Sequence, residues 1–234
     1  MGRKKIRLPA GVEAALDNAL DQALRIQRPV VLGYLDRMRG KQPNATPAEV
    51  IDQLERRYRA AVIAIGGASG AAAAVPGAGT AAAIASGAAE ITAFVSATAM
   101  YVLGVAEIHG LPVSDPDLRR ALVLSVLVGE GAGAAIAGAA GVSPHWAQVI
   151  GRSNSREKIV GINGRLGQLL LTRFASRQGA LLVGRALPLG IGVGIGAAGN
   201  AALAKTAVKA ARSAFGPAPA KFPPRIVDVH PVRD

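Results

Sequence analysis

The residues from Ala60 to Ala106 constrain the fold more than any other part of the chain. Across them the only charged side chain is Glu90, and the remainder is mostly Ala, Gly and small β-branched residues. Apolar residues fill every helical face with no period-2 alternation, which predicts buried helix and not strand. Val75-Pro76-Gly77 is the one strong break, because proline has no N–H to donate and pushes the preceding residue out of the α region. The stretch therefore reads as a helical hairpin, with a first arm over 60–75 and a second arm from after Pro76 toward Val105. Small residues recur at helical spacing (Gly66/Gly70, Gly77/Ala81, Ala85/Ala89), which lets two backbones approach closely.

A simple transmembrane helix is disfavoured. The first arm would rise only about 24 Å against a hydrocarbon core of about 30 Å. The second is long enough but places Glu90 near its middle, where a lipid-facing acid costs about 2.5–3.5 kcal/mol. Ala and Gly also supply little apolar area per residue. A re-entrant, peripherally inserted or protein-covered hairpin fits better.

Charge is partitioned around this block. Residues 1–59 hold 12 Lys/Arg against 7 Asp/Glu, residues 60–118 hold none against 4, and residues 119–234 hold 15 against 4. Basic flanks beside an apolar hairpin suit an anionic lipid surface, at about 1 kcal/mol per well-placed cation. Nucleic acid ranks lower as a partner, because no aromatic-interleaved basic strand, zinc finger or basic-region zipper occurs. The absence of Cys excludes disulfides, thiolate metal sites and Cys nucleophiles. The N-terminal basic cluster is followed by Glu13, Asp17 and Asp21 and not by an apolar run, which predicts an unprocessed, non-secreted chain.

Residues 1–9 read as a flexible basic arm. An amphipathic helix follows from Gly11, then a second in which Pro29 sits in the first turn and Val31, Leu35 and Met38 form the apolar stripe. Thr46-Pro47-Ala48-Glu49 is a capping box, and the helix it starts leads directly into the hairpin. Glu107 to Asp117 reads as a polar turn, with Asp115 capping the next helix and Pro116 at its first position. Ala121–Gly141 is a second small-residue segment. Ser143-Pro144 opens a helix containing Trp146. An amphipathic region then carries Leu166, Leu169, Leu170 and Phe174 inward and Arg165, Arg173, Arg177 and Arg185 outward. A third small-residue stretch, uncharged over 186–204, ends in Lys205, Lys209 and Arg212, which suit a helix C-terminus. From Gly216 the Pro-rich segment reads as a disordered tail over 216–234.

The order of these features resembles the EcsC protein family of bacteria. The resemblance rests on the capped helix entering a Gly-rich hairpin at 60–79, the Gly-Leu-Pro…Asp-Pro-Asp-Leu-Arg-Arg turn at 110–120, and Leu-Pro-Leu-Gly-Ile-Gly-Val-Gly-Ile-Gly-Ala-Ala-Gly-Asn at 187–200. It spans roughly 16–215. It implies an all-α, membrane-linked protein with no established reaction, and supplies no catalytic residue.

The expected fold is thus all-α: a single multi-helix bundle over 10–215, built around Ala/Gly-rich hairpins with basic amphipathic helices flanking them. Glu90, Glu130 and Asn200 are the polar groups inside apolar helices. Either they face one another, or an arginine such as Arg173 or Arg177, in a polar cluster that gates or registers the bundle, or each lies at a helix end or reaches water. Arg3, Lys4, Lys5, Arg7, Arg173 and Arg177 are the expected anionic-surface contacts. His109 and His145, with Glu107 and Glu130, lack metal-ligand spacing. No Gly-x-Ser-x-Gly elbow occurs, and the Gly194…Gly199 match to a dinucleotide motif follows no strand. No cofactor and no catalytic group is expected. The expected function is a non-enzymatic protein at the cytoplasmic membrane face. The alternative is a soluble scaffold that oligomerises through small-residue faces, and a hydrolase or metalloenzyme ranks last.

Overall fold

A computed structural model of the chain describes residues 18–26, 28–73, 79–111, 113–134, 136, 145–151, 155–185 and 191–224. Within these, the side chains of 70, 72, 73, 79–87, 130, 173–185 and 191–196 are not described. The fold is all-helical, with no strand among the described residues.

Helix α1 covers residues 18–24 and buries Ala19, Leu20 and Ala23. Helix α2, Arg28–Lys41, buries Val31, Leu35 and Met38, the i, i+4, i+7 stripe that the sequence spells out. Helix α3, Pro47–Ala73, opens on the capping box: the Thr46 N–H and hydroxyl both donate to Glu49 Oε2 (2.7 and 2.9 Å), and the Glu49 N–H donates to Thr46 Oγ1 (3.3 Å). Those bonds hold the Glu49 carboxyl below the usual carboxylate range. Helix α4, Gly79–Ile108, runs antiparallel to α3, as Ser69 meets Glu90 while Tyr58 meets Thr98. At Gly104 the two helices come close enough that a Cβ would sit 3.3 Å from Leu54 Cδ1. The Val75-Pro76-Gly77 break itself lies outside the described residues.

Helix α5, Pro116–Val128, is capped by Asp115, whose carboxylate accepts from the N–H groups of Asp117 and Leu118. All six residues from Ala121 to Val126 are buried. A helix apolar on every side belongs in the middle of a bundle, and this one does. Its one polar side chain there, Ser125, donates to the Leu122 carbonyl at 2.6 Å. A 3-10 turn, Gly129–Gly131, follows. Helix α6 is Trp146–Gly151, α7 is Arg156–Arg185 and α8 is Ile191–Phe215. One contiguous core joins them, with α3 packed most closely on α8 and α4, and α5 packed on α7.

Two expectations need correction. Glu107 does not lie in a polar turn; it belongs to the last turn of α4 and is 8% exposed. The segment 216–224, expected as the start of a disordered tail, lies against the body. Phe222 packs on the core, and its ring takes the Arg39 guanidinium at 4.1 Å. Pro217, Pro219, Pro223 and Pro224 have no N–H that needs a partner, which leaves fewer donors to satisfy in a strap held down by one aromatic anchor. The arm over 1–9 and residues 225–234 lie outside the described residues.

Candidate functional site

Several polar groups of α3, α4 and α8 meet along the seam between these helices. We call the end near the α3–α4 connection apical and the opposite end basal. At the apical end, Glu90 accepts from the Ser69 hydroxyl at 2.6 Å and from Asn200 Nδ2 at 3.1 Å. The same Asn200 nitrogen donates to the Val62 carbonyl at 3.2 Å. Three helices are thus tied by one carboxylate and one amide in otherwise apolar surroundings. Each partner satisfies a group whose burial alone would cost about 1–3 kcal/mol. The structure therefore brings together Glu90 and Asn200. Glu130 stands in the 3-10 turn with its side chain outside the description, as are those of Arg173 and Arg177 in α7. Arg3, Lys4, Lys5 and Arg7 also lie outside the described residues.

Midway down the seam, Tyr58 and Tyr101 stack with ring centroids 4.7 Å apart, and the Tyr58 hydroxyl pairs with that of Thr98 at 3.0 Å. Burial pushes the Tyr58 phenol up to about 12, and the Thr98 bond only partly offsets this. Tyr101 is pushed up further, by burial first and then by the negative charge of Glu55.

At the basal end Arg212 donates to both Glu55 oxygens at 2.7 Å and to Asp52 Oδ1 at 3.3 Å. This fork-to-fork geometry is the strong form of a charge-assisted pair, and it raises the Arg212 pKa further. Beside it lies a groove of about 450 Å³, lined by these groups with Tyr101, His109, His145 and Phe215. His109 turns both ring nitrogens toward backbone carbonyls, Val105 at 2.9 Å and Pro217 at 3.3 Å. Another ion pair, Arg28 with Glu107, is buried on both sides and ties α2 to α4.

Sequence reasoning did not foresee these basal pairs. Glu55 and Arg212 stand 157 positions apart, and no local spacing links them. The one signal was Glu55 lying one turn before the inward-facing Tyr58. Among the described residues no group of three or more His, Asp or Glu side chains is placed to hold a metal ion. Comparison of the chain with protein-family models, with curated proteins and with solved structures finds no match.

The exposed side of α3 changes character at one point. Glu49, Asp52, Arg56, Arg57 and Arg59 are exposed below it; Ala60, Ala61, Ile63, Ala64 and Ala68 are exposed above it. No residue from 60 to the end of α3 is charged, nor is any from 191 to 204 in α8. Among the described residues, one helical window is long and apolar enough to cross a membrane, Ala88–Ile108 in α4, and 67% of it is buried inside the protein.

Proposed function

We propose that this chain is a non-enzymatic membrane-associated protein of the EcsC kind, docking on the cytoplasmic face of an anionic membrane through its small-residue hairpin and basic helices. The observation that carries the reading is the internal satisfaction of Glu90. Its partners Ser69 and Asn200 occupy the only carboxylate of the hairpin's apical half, so a lipid-facing surface there presents no charge. Exposed cations stand at the base of that surface, where anionic headgroups would lie.

A second reading, a soluble scaffold oligomerising through small-residue faces, draws support from the burial of most of the Ala88–Ile108 window within the protein's own core. Flotation of detergent-free protein on neutral and anionic liposomes, at low and high salt, separates the two. Flotation that survives an alkaline carbonate wash means insertion. Flotation only on anionic lipid at low salt means electrostatic docking, since exposed charge is screened within about 10 Å at 0.1 M salt. Protein that stays at the bottom of every gradient sinks the membrane reading.

A further inference from the structure

A net charge of +12 would draw the chain to an anionic surface in any orientation, but the geometry singles out a few of its cations. The bond from Asn200 to the Val62 carbonyl fixes the register of α8 against α3, and the Arg212–Glu55 pair shows that the two helices run antiparallel. Five residues toward the base from these two positions lie Lys205 and Arg57, both about 7.5 Å below that bond. Arg56 and Arg59 lie within about 3 Å of the same level. All four are exposed. The Arg57 guanidinium stands 5.9 Å from the Tyr34 ring centroid and that of Arg59 lies 4.0 Å from Glu55, contacts that hold both at the rim of the bundle. Directly apical to them the exposed residues are Ala60, Ala61, Ile63 and Ala64 on α3 and Ala202 on α8.

We propose that Arg56, Arg57, Arg59 and Lys205 form a collar that contacts the phosphates of anionic lipid headgroups and orients the apex toward the acyl chains. The proposal rests on the membrane reading above. Guanidinium groups engage phosphate oxygens through paired N–H donors, and Lys205 adds a compact charge. A nucleic acid would also meet cations, but it has no use for an apolar surface one residue away. The step from Arg59 to Ala60 fits a lipid interface, where headgroup and hydrocarbon adjoin.

The test compares two double variants of equal net charge on vesicles of phosphatidylglycerol and phosphatidylcholine. One is Arg56→Gln with Lys205→Gln. The other, on the exposed side of α7, is Lys158→Gln with Arg165→Gln. The collar variant should lose about 25-fold in partition coefficient, about five-fold per charge, and the α7 variant less than about three-fold. Equal losses would overturn the collar while leaving membrane docking in place; wild-type protein that does not bind would instead remove the membrane reading itself. A second readout does not depend on charge removal. The chain has no Cys, so an Ala64→Cys protein carries an environment-sensitive fluorophore at one site only. Its emission should shift to the blue on anionic vesicles, and an unchanged spectrum on bound protein overturns the proposed orientation. Tighter binding to a DNA duplex than to vesicles, lost in the collar variant, would reassign the collar to nucleic acid and overturn the lipid proposal.

Discussion

Below Arg59, α3 faces its neighbours with the large or charged side chains Leu54, Glu55 and Tyr58, which meet the close approach at Gly104, the guanidinium of Arg212 and the ring of Tyr101. Above Arg59 the same helix offers Val62, Gly66 and Ser69 inward and, apart from Ile63, alanine outward. The basal half is therefore held by bulk and by ion pairs. The apical half has little apolar area to bury, and one polar knot of Ser69, Glu90 and Asn200 fixes its register. Small side chains allow close packing but leave many registers nearly equal in energy. A directional hydrogen-bond set in an apolar seam selects one of them.

The largest expected effect is basal. Glu107→Ala removes one carboxylate partner from an Arg28 that is 6% exposed, and should cost about 3–5 kcal/mol in urea unfolding. A loss below about 1 kcal/mol would mean that basal charge pairs matter no more than surface ones. At the apex, Asn200→Ala should cost about 1–3 kcal/mol by leaving Glu90 short of a partner. The double variant Glu90→Leu with Asn200→Leu should recover most of that, because removing both polar groups leaves nothing unsatisfied. Failure to recover, with a broadened transition, would show that the knot supplies register and not just satisfied hydrogen bonds.

At the basal end of α8, Gly216 adopts φ 78°, and its N–H bonds the Arg212 carbonyl at 3.0 Å. Gly216→Ala imposes left-handed strain of about 1–2 kcal/mol and pushes its Cβ toward His145. The same variant should loosen the strap that carries Phe222, read as easier proteolysis after residue 216. Next comes the mid-seam tyrosine. The folded Tyr58 phenol titrates near 12, above its usual 10, so its contribution to stability is complete below about pH 10 and fades as pH rises toward 12. Tyr58→Phe should cost about 0.5–1.5 kcal/mol at neutral pH through the lost Thr98 bond, and should weaken the alkaline loss. An unchanged pH profile would point to Tyr101 as the alkaline trigger.

Much of this architecture was legible in local signals. The Thr46–Glu49 box, the Asp115 cap and the Val31/Leu35/Met38 stripe each depend on residues within two turns of one another, and periodicity reads such spacings directly. Glu90 and Asn200 stood out as polar groups in apolar helices, although their meeting across 110 positions is a tertiary fact. Glu107 was misplaced because a charged residue near a Gly-Leu-Pro turn looks like loop until a buried arginine from another helix is known. The tail reading failed at Phe222 for the opposite reason: composition averaged over prolines hides a single aromatic anchor.

The smallest expected effect cuts most directly between the halves. Ala64 is exposed on the apical part of α3, where nothing among the described residues covers it. In water, Ala64→Lys should change stability by no more than about 0.5 kcal/mol, as for an ordinary surface position. On anionic vesicles the same lysine would stand just apical to the collar, in the acyl boundary if the apex enters the bilayer. The variant should keep salt-sensitive binding and lose resistance to a carbonate wash, because headgroup attraction survives while insertion of a charge does not. Two results would break the contrast. A loss above about 1 kcal/mol in vesicle-free buffer, scaling with protein concentration, would mean that a second copy of the chain covers the alanine face. Carbonate resistance equal to wild type would mean that the apical face meets water even on the membrane, so that basal and apical surfaces differ in composition but not in environment.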